Sequence, residues 1–243
     1  MSLCDKLTLE QRERGFWLNE TAGIPAEENI ITRADRLLRR EFPNLGGVAV
    51  TLEKNIPTQA GLGGGSTDAA AYLRGMDRLY GLGLGREGLW ALAAELGADV
   101  PFCIDGGAAA AAGIGEKLTP VESHLPLWLV ITKPKAGCST PAMYRRIDEM
   151  GESLRQRFTT QEAANALEKG DLAGLCGSFY NVFEEVTALP ELSEIRQELR
   201  QSGALAAMMT GSGSAVFGIF QEEAAAKAAA EKMAESLSLI HIS

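Results

Sequence analysis

The apolar residues of this 243-residue chain follow a helical repeat over most of its length and alternate only in short stretches. Recurrence at three and four positions predicts helices over 27–41, in the segment after residue 66, and over 86–96. Alternation predicts a strand over 48–52. By the same criteria we predict strands near 107–112, 116–121, 127–133, 204–209 and 215–220, and helices near 139–149, 160–168, 171–178, 190–202 and 222–236.

The order of these elements predicts the fold class. Helices and short strands are interleaved in two blocks, which indicates an α+β chain of two domains. We place the N-terminal domain over 1–134 and the C-terminal domain over 135–236. Residues 238–243 break the amphipathic pattern of the helix before them, so we interpret 237–243 as a non-native tail.

A run of glycines between a predicted strand and a predicted helix is the most distinctive stretch of the sequence. Four of the five residues from Gly61 to Gly65 are glycine, which removes the Cβ atoms that keep a backbone away from a bulky anion and permits positive φ. A helix N-terminus adds unpaired N–H donors and a partial positive charge. We expect Ser66 or Thr67 to cap the helix and Asp68 to lie in its first turn. Phosphate binding is the favoured reading of this loop, and a tight connection without a ligand is the alternative.

Two better-known phosphate-binding motifs do not account for this loop. A P-loop requires a lysine directly before its Ser or Thr, whereas Gly65 precedes Ser66 here. The letters of a dinucleotide fingerprint occur over 83–88, but they follow a predicted helix instead of a strand. We therefore interpret them as a turn between helices.

Charge and cysteine usage exclude several classes of partner. The net charge of −9 and the isoelectric point near 4.9 argue against binding to nucleic acid or to an anionic membrane surface. Four cysteines without a C-x-x-C pair, and only two histidines, argue against a structural zinc site and for a reduced, cytoplasmic protein. We expect neither a signal peptide nor a membrane span. The expected partner is a small-molecule substrate, and the chain is expected to be a monomer or a weak homodimer.

Asp99 is the candidate for the group that orients or deprotonates an attacking hydroxyl in phosphoryl transfer. It stands between small residues and an apolar segment over 100–102 that we predict to be extended. We therefore expect Asp99 to be partly buried, which a carboxylate tolerates only for a structural or catalytic reason. Capping of a turn by its side chain is the alternative.

A second glycine turn and three lysines complete the candidate site. The Thr210–Ser214 turn could approach phosphate or substrate closely, or it could be a plain hairpin. Lys54, Lys133 and Lys135 are either cations of the site or, as we favour, solvated surface charges, because lysine is rarely buried unpaired.

These stretches together resemble the GHMP kinase superfamily in their order and spacing. Residues 56–70 resemble its ATP-phosphate loop, P-x-x-A-G-L-G-G-G-S-[ST]-[DN]-A-A, and residues 97–102 resemble its G-A-D-V-P-F motif, which carries the catalytic aspartate. Residues 209–214 resemble its third motif, [MLT]-[ST]-G-[ST]-G, and Thr140 with Tyr144 resembles its substrate-side run. The residues of these motifs most resemble those of the family members that act in the non-mevalonate isoprenoid pathway.

The resemblance implies a two-domain GHMP kinase fold, with an N-terminal domain like domain 2 of ribosomal protein S5 and a ferredoxin-like C-terminal domain. It implies transfer of the γ-phosphate of ATP to the 2-hydroxyl of 4-diphosphocytidyl-2-C-methyl-D-erythritol. Asp99 would be catalytic, and Mg²⁺ would be held mainly by ATP oxygens and touched by Ser66. The residues implied to bind ATP are Pro57, Ala60, Gly61, Leu62, Gly63, Gly64, Gly65, Ser66 and Thr67. Those implied to bind the substrate are Thr140, Gly211, Ser212 and Gly213.

The sequence departs from the family pattern in two places. The family's A-K-[IL]-N-L strand, whose lysine pairs with the catalytic aspartate, and its D-G-Y-H segment are both absent, so we expect a chain truncated at its N-terminus. Val182 stands where the family's N-D-[LF]-E run has an aspartate. Another GHMP-type small-molecule kinase and an impaired fragment that still binds ATP are therefore the alternatives.

Overall fold

The structure is a computed structural model that describes residues 3–19, 24–113, 115, 117–123, 125–151, 160–234 and 239–242. The chain forms two compact units. The N-terminal unit comprises Cys4–Ile56 and Gly63–Pro120, and the C-terminal unit comprises Leu3, Pro57–Leu62 and the described residues from Val121 onward. The glycine-rich segment is thus divided between the units after Leu62, and the domain limits given above stay a prediction.

The N-terminal unit contains a three-stranded sheet with β3 in the middle. β1 (Lys6–Arg12) pairs with β3 (Gly47–Glu53) in antiparallel fashion, and β2 (Phe16–Leu18) pairs with β3 in parallel. The one strand predicted here is confirmed as β3, whereas β1 and β2 were not predicted. The alternation in β1 rests on only two apolar residues, Leu7 and Leu9, and β2 has three residues, so neither pattern is long enough to stand out.

Three helices pack with this sheet around one apolar core. They are α1 (Ile30–Glu41), α2 (Gly64–Tyr80) and α3 (Gly85–Leu96), and all three confirm predicted helices. Residues 83–88 lie at the junction of α2 and α3, as interpreted from the sequence. α1 begins after Asn29, whose side chain accepts a hydrogen bond from the N–H of Ile31 at 3.0 Å. The largest side chains sealed in this core are Ile31, Leu38, Val48, Tyr72, Leu73 and Met76.

A short helix, α4 (Val100–Asp105), follows α3, so the prediction of an extended segment over 100–102 was wrong. Pro101 lies in the first turn of α4, where the missing N–H interrupts no helical hydrogen bond. The strands β4 (Ala108–Ala112) and β5 (Lys117–Val121) then form a two-stranded sheet. Both strands were predicted; residue 116, the predicted start of the second, lies outside the described residues.

The C-terminal unit is built on a four-stranded antiparallel sheet in the order β7-β8-β6-β9. These strands are β6 (Trp128–Lys133), β7 (Ala206–Met209), β8 (Val216–Phe220) and β9 (Leu239–Ile242). The helices are α5 (Thr140–Met150), α6 (Thr160–Lys169), α7 (Leu172–Gly177), α8 (Phe183–Val186), α9 (Glu191–Gln201) and α10 (Glu223–Met233). The predicted elements are confirmed, whereas α8, a single turn, and β9 were not predicted.

The C-terminal residues 239–242 pair with β6 as strand β9. Residues 235–238 and 243 lie outside the described residues, and with them the predicted end of the last helix at 236. The interpretation of 237–243 as a non-native tail stays a prediction. Within the described part of the chain, every helix is too short or too polar to cross a membrane.

Candidate active site

Helix α2 begins earlier than the sequence predicts. Its first residue is Gly64, and Gly63 precedes it in a left-handed conformation with a φ of 67°. The prediction that Ser66 or Thr67 caps the helix was wrong, because glycine at position 63 lets the chain turn into the helix before either hydroxyl residue. Thr67 instead donates back to the carbonyl oxygens of Gly63 (3.3 Å) and Gly64 (2.8 Å). Asp68 is the fifth residue of α2, so its predicted place in the first turn was also wrong.

The N-terminus of α2 presents amide donors that the helix itself does not use. The first helical hydrogen bond runs from the N–H of Thr67 to the carbonyl oxygen of Gly63 at 2.9 Å. The N–H groups of Gly64, Gly65 and Ser66 therefore have no acceptor within the helix. Gly63 and Gly65 are exposed and Ser66 is half-buried, so an anion can reach this end of α2.

Two neighbouring glycines at this end are present for different reasons. A Cβ on Gly64 would lie 2.9 Å from the side chain of Ile56 and 3.2 Å from Nζ of Lys54, so packing excludes one there. A Cβ on Gly65 would meet only Ile30 within 4 Å, at an ordinary contact distance of 3.8 Å, and the φ of Gly65 is not positive. The fold of the described residues therefore does not require glycine at position 65. Close approach of a ligand to the backbone is the remaining explanation for glycine at position 65.

A buried ion cluster joins the end of β3 to helix α2. Lys54, the residue after β3, donates to Asp5 and, at 2.8 Å, to Asp68 of α2. The side chains of Lys54, Asp5 and Asp68 are 10%, 4% and 6% exposed. The reading of Lys54 as a solvated surface charge was wrong, because two carboxylates compensate the burial of its ammonium group. We call Asp5, Lys54 and Asp68 the Lys54 cluster.

The two carboxylates of the Lys54 cluster differ in their other partners. Asp5 also accepts hydrogen bonds from the N–H groups of Asn55 (2.6 Å) and Ile56 (2.7 Å). Burial alone would raise the pKa of Asp5, but Lys54 and these two N–H groups hold it below its ordinary value. Burial raises the pKa of Asp68 to about 7, because that carboxylate has only Lys54 to oppose the effect. Burial alone would lower the pKa of Lys54, and the hydrogen bonds to both carboxylates raise it above its ordinary value.

The first half of the glycine-rich segment, Pro57–Leu62, belongs to the C-terminal unit and is held there by its backbone. The N–H of Ser214 donates to the carbonyl oxygen of Gln59 (3.3 Å), and the N–H of Ala215 donates to that of Ala60 (3.0 Å). Ala60 is buried and packs in a small apolar cluster with Ala215. Main-chain hydrogen bonds to residues 214 and 215 therefore fix this half of the segment.

Gly61 continues this attachment through a position that only glycine fits. Its φ is 71°, and a Cβ there would overlap the carbonyl oxygen of Thr210. The hydroxyl of Thr210 donates to the carbonyl oxygen of Gly61 at 2.9 Å. The close approach of the two loops within the C-terminal unit therefore explains this glycine without a ligand.

The Thr210–Ser214 turn connects β7 to β8 and contains three of the predicted substrate-binding residues. The hydroxyls of Ser212 and of Thr140, the fourth of them, share a hydrogen bond at 2.6 Å. Gly211 is exposed, whereas Ser212 and Gly213 are buried. The structure thus brings Thr140 to this turn, and the assignment of all four residues to substrate binding stays a prediction.

Two side chains that the sequence analysis did not assign to the site hold this turn. Asn181 donates through Nδ2 to the carbonyl oxygens of Met209 (2.7 Å) and Gly211 (2.8 Å). Glu184 accepts a hydrogen bond from the N–H of Met209 (2.7 Å) and forms an ion pair with Arg196 (2.5 Å). Both stand in the run that resembles the family's N-D-[LF]-E, and that resemblance is the signal that could have found them.

Asp99 is exposed, so the expectation that it is partly buried was wrong. It immediately precedes α4, in which Val100, Pro101 and Ile104 are the buried residues, and the apolar neighbours in sequence therefore do not enclose it. Its side chain makes no capping hydrogen bond, and the N–H of Cys103 bonds to its backbone carbonyl oxygen (3.3 Å). The alternative of a turn-capping side chain is thus not borne out, and the Asp99 carboxylate is accessible to a ligand.

The remaining candidates are the lysines Lys133 and Lys135. Lys133 donates to the carbonyl oxygen of Pro134 (3.1 Å), and Lys135 is exposed. Among the residues that the structure describes, no three His, Cys, Asp or Glu side chains lie close enough together to hold a metal ion.

Comparison with known proteins identifies the family. The family model for the GHMP kinases N terminal domain matches residues 29–107, and the model for GHMP kinases C terminal matches residues 163–239. The 4-diphosphocytidyl-2-C-methyl-D-erythritol kinase of Alkaliphilus metalliredigens is 40% identical over 247 aligned residues, which span 100% of this chain and 84% of that protein. The chain belongs to the GHMP kinase family.

Other comparisons agree with this membership. The protein of the same name from Moorella thermoacetica is 40% identical, with 97% of this chain and 84% of that protein covered. A crystal structure of 4-(cytidine 5'-diphospho)-2C-methyl-D-erythritol kinase matches 99% of this chain and 85% of its own at 35% identity, with a TM-score of 0.84. A homoserine kinase from Cytophaga hutchinsonii, at 17% identity and a TM-score of 0.77, shares the fold. The predicted two-domain α+β GHMP kinase fold is confirmed.

Within this GHMP kinase, the three sequence motifs have distinct structural roles. The glycine-rich loop supplies the exposed N-terminus of α2, the G-A-D-V-P-F motif supplies the exposed Asp99, and the third motif supplies the turn held by Asn181 and Glu184. The G-A-D-V-P-F motif and the glycine-rich loop from Gly63 onward lie in the N-terminal unit, whereas Pro57–Leu62 and the third motif lie in the C-terminal unit.

Proposed function

We propose that this GHMP kinase transfers the γ-phosphoryl group of ATP to the 2-hydroxyl of 4-diphosphocytidyl-2-C-methyl-D-erythritol, a step in the formation of isopentenyl diphosphate. The substrate is supported by the names of relatives about 40% identical over nearly the whole chain. The cytoplasmic location and the monomeric or weakly dimeric state stay predictions.

The observation that carries the phosphate-binding part is the geometry of Gly65. The fold of the described residues does not need glycine there, yet the residue lies at the exposed N-terminus of a 17-residue helix, among N–H groups without helical acceptors. Those N–H groups and the helix dipole stabilise an anion at this point. A chain with a net charge of −9 has to bind a polyphosphate through such local donors, because its overall field repels one.

Phosphoryl transfer places few covalent demands on a protein, so catalysis depends on positioning and on charge stabilisation. In our proposal the amides of Gly64, Gly65 and Ser66 bind the phosphates, and the Asp99 carboxylate orients the attacking hydroxyl and accepts its proton. These four residues are exposed or half-buried, so that ligands can reach them. The substrate contacts proposed for the C-terminal unit are Thr140, Gly211, Ser212 and Gly213.

A magnesium ion fits this site only as a partner of the nucleotide. The described residues offer no cluster of acidic ligands, and oxygen ligands from phosphates are the ones that Mg²⁺ commonly uses in kinases. The hydroxyl of Ser66, a half-buried residue at the start of α2, is the protein group that we propose to touch the ion. Bound there, the ion would neutralise charge on the phosphates.

The test is ADP release by the purified chain with ATP, Mg²⁺ and 4-diphosphocytidyl-2-C-methyl-D-erythritol, with mass spectrometry of the product. Asp99→Asn should lower turnover by about 10²–10⁴-fold, the usual contribution of a general base. Asp105→Asn is the control, because Asp105 lies at the other end of α4 in an ion pair with Arg86 (2.7 Å) and should leave turnover unchanged.

Three other outcomes would each contradict part of the proposal. ADP release with homoserine or mevalonate, but not with the proposed substrate, would support another GHMP-type kinase. ATP binding without turnover of any alcohol would support the impaired, ATP-binding alternative. Equal turnover by the wild type and Asp99→Asn would remove Asp99 from the mechanism.

A further inference from the structure

The Lys54 cluster lies directly behind the phosphate-binding end of α2. The position of a Cβ on Gly64, the first residue of the helix, is 3.2 Å from Nζ of Lys54 and 2.9 Å from Ile56. The backbone of Gly64 is thus packed onto the 54–56 segment on its buried side, while Gly63 and Gly65 remain exposed.

The cluster connects three segments that are distant in sequence. Asp5 lies just before β1, Lys54 just after β3, and Asp68 on the second turn of α2. Asp5 bonds the N–H groups of Asn55 and Ile56 through one carboxylate oxygen and Lys54 through the other. The chain leaving β3 is therefore fixed by Asp5, and α2 is fixed to that chain through the Lys54–Asp68 bond of 2.8 Å.

Burial of a lysine together with both of its carboxylate partners adds little net free energy of unfolding. Desolvation of the three charges offsets much of their attraction, and apolar residues of similar volume often stabilise a protein as well or better. Directional bonds to charged groups do, however, fix geometry in a way that apolar contacts do not. A site that aims several N–H groups at one ligand depends on such fixed geometry.

We infer that the Lys54 cluster is a positioning device for nucleotide binding, in which Lys54 and Asp68 hold the first turn of α2 in the orientation that aims its amides at the phosphates of ATP. This inference rests on the proposed function. None of the three side chains contacts the nucleotide in this account, since all are at most 10% exposed.

Asp68→Ala tests the inference, with Asp35→Ala as the matched control. Asp35 of α1 is also buried in the N-terminal unit, where it accepts hydrogen bonds from Arg39 (2.7 Å) and Tyr72 (2.7 Å). Tyr72 is the ninth residue of α2, so Asp35 bonds this helix away from its first turn. Both variants should melt at lower temperature than the wild type. Only Asp68→Ala should weaken ATP binding, measured by titration calorimetry, by about tenfold or more.

Kinetics separate positioning from a general loss of folded protein. In Asp68→Ala the KM for ATP should rise with the dissociation constant, while kcat at saturating ATP stays within about twofold of the wild type, because Asp99 is untouched. A fraction of unfolded enzyme would lower kcat and leave KM unchanged. Asp68→Asn keeps an oxygen acceptor for Lys54 and should restore the wild-type KM.

A second variant covers the case in which Asp68→Ala does not fold. The double variant Lys54→Met with Asp68→Asn removes the ion pair and leaves Asp5 with its two N–H donors, so no carboxylate is left without a partner. It should fold and bind ATP about tenfold or more weakly. Wild-type affinity in Asp68→Ala or in this double variant would overturn the inference, whereas failure of the wild type to bind ATP would overturn the proposed function and the inference together.

Discussion

Residues 57–62 and residues 63–68 are consecutive stretches of one glycine-rich segment, but they are held by different interactions. In the C-terminal unit, main-chain hydrogen bonds from residues 214 and 215 and the hydroxyl of Thr210 fix the first stretch. In the N-terminal unit, the Lys54 cluster fixes the second. The first attachment contains no ionisable group, and the second is made almost entirely of them.

The same difference explains why glycine occurs in both stretches. Gly61 is required by the fold, because its φ is 71° and a Cβ would overlap Thr210. Nothing among the described residues requires glycine at position 65, and its absent side chain leaves room for a ligand. A glycine-rich motif therefore mixes positions where the fold requires glycine with positions where the described residues do not, and only the surroundings of each residue separate the two kinds.

The largest effect on stability is expected from breaking the main-chain attachment with Gly61→Ala. We expect a loss of about 2 kcal/mol or more in the free energy of unfolding, because the Cβ adds steric overlap to an unfavourable φ. Gly63→Ala is the matched control, since Gly63 has a φ of 67° and no atom within 4 Å of its Cβ position. It should lose only about 1 kcal/mol, the cost of a left-handed alanine. Equal losses in urea unfolding would contradict the role given to Thr210.

The pH dependence of stability should distinguish the ionic attachment from the main-chain one. The pKa of Asp68 rises from 3.8 to about 7 on folding, so the folded state binds the extra proton and stability falls as pH increases between about 4 and 7. Asp5 acts in the opposite sense, because its lowered pKa contributes stability that is lost below about pH 4. Between pH 5 and pH 8 we therefore expect the free energy of unfolding of the wild type to fall by about 1–3 kcal/mol relative to that of Asp68→Asn. Parallel pH profiles of the two proteins would show that Asp68 does not titrate in this range.

The sequence predicts the long elements and fails where tertiary contacts decide. α1, α2 and α3 follow from apolar spacing, because one face of each is buried in a common core. α4 was missed because Pro101 suggests a break, although proline is tolerated in a first turn. The start of α2 was misplaced because a left-handed Gly63 replaces a hydroxyl cap.

The candidate site likewise has parts that the sequence predicts and parts that it does not. The glycine-rich loop and the phosphate binding that we propose for it can be predicted from local composition, since the relevant residues are consecutive. The Lys54 cluster is not, because it joins Lys54 to residues 49 and 14 positions away, and a lysine next to a loop is ordinarily solvated. The exposure of Asp99 depends on which face of the short α4 is buried, and the neighbouring residues in the sequence do not specify that face.

The smallest expected change in stability accompanies the most direct test of phosphate binding at α2. Gly65→Ala should leave the melting temperature unchanged or raise it, because alanine favours a helix over glycine by about 0.5–1 kcal/mol. Gly177→Ala is the control, since Gly177 is also an exposed helical glycine, and no atom of the described residues lies within 4 Å of its Cβ position.

The decisive measurement is titration calorimetry of ATP with Mg²⁺ into the wild type, Gly65→Ala and Gly177→Ala. We predict that Gly65→Ala binds ATP about tenfold or more weakly, because we propose that the phosphates lie against this end of the helix, while Gly177→Ala binds as the wild type does. Wild-type affinity in a folded Gly65→Ala would contradict the claim that the N-terminus of α2 is the phosphate site.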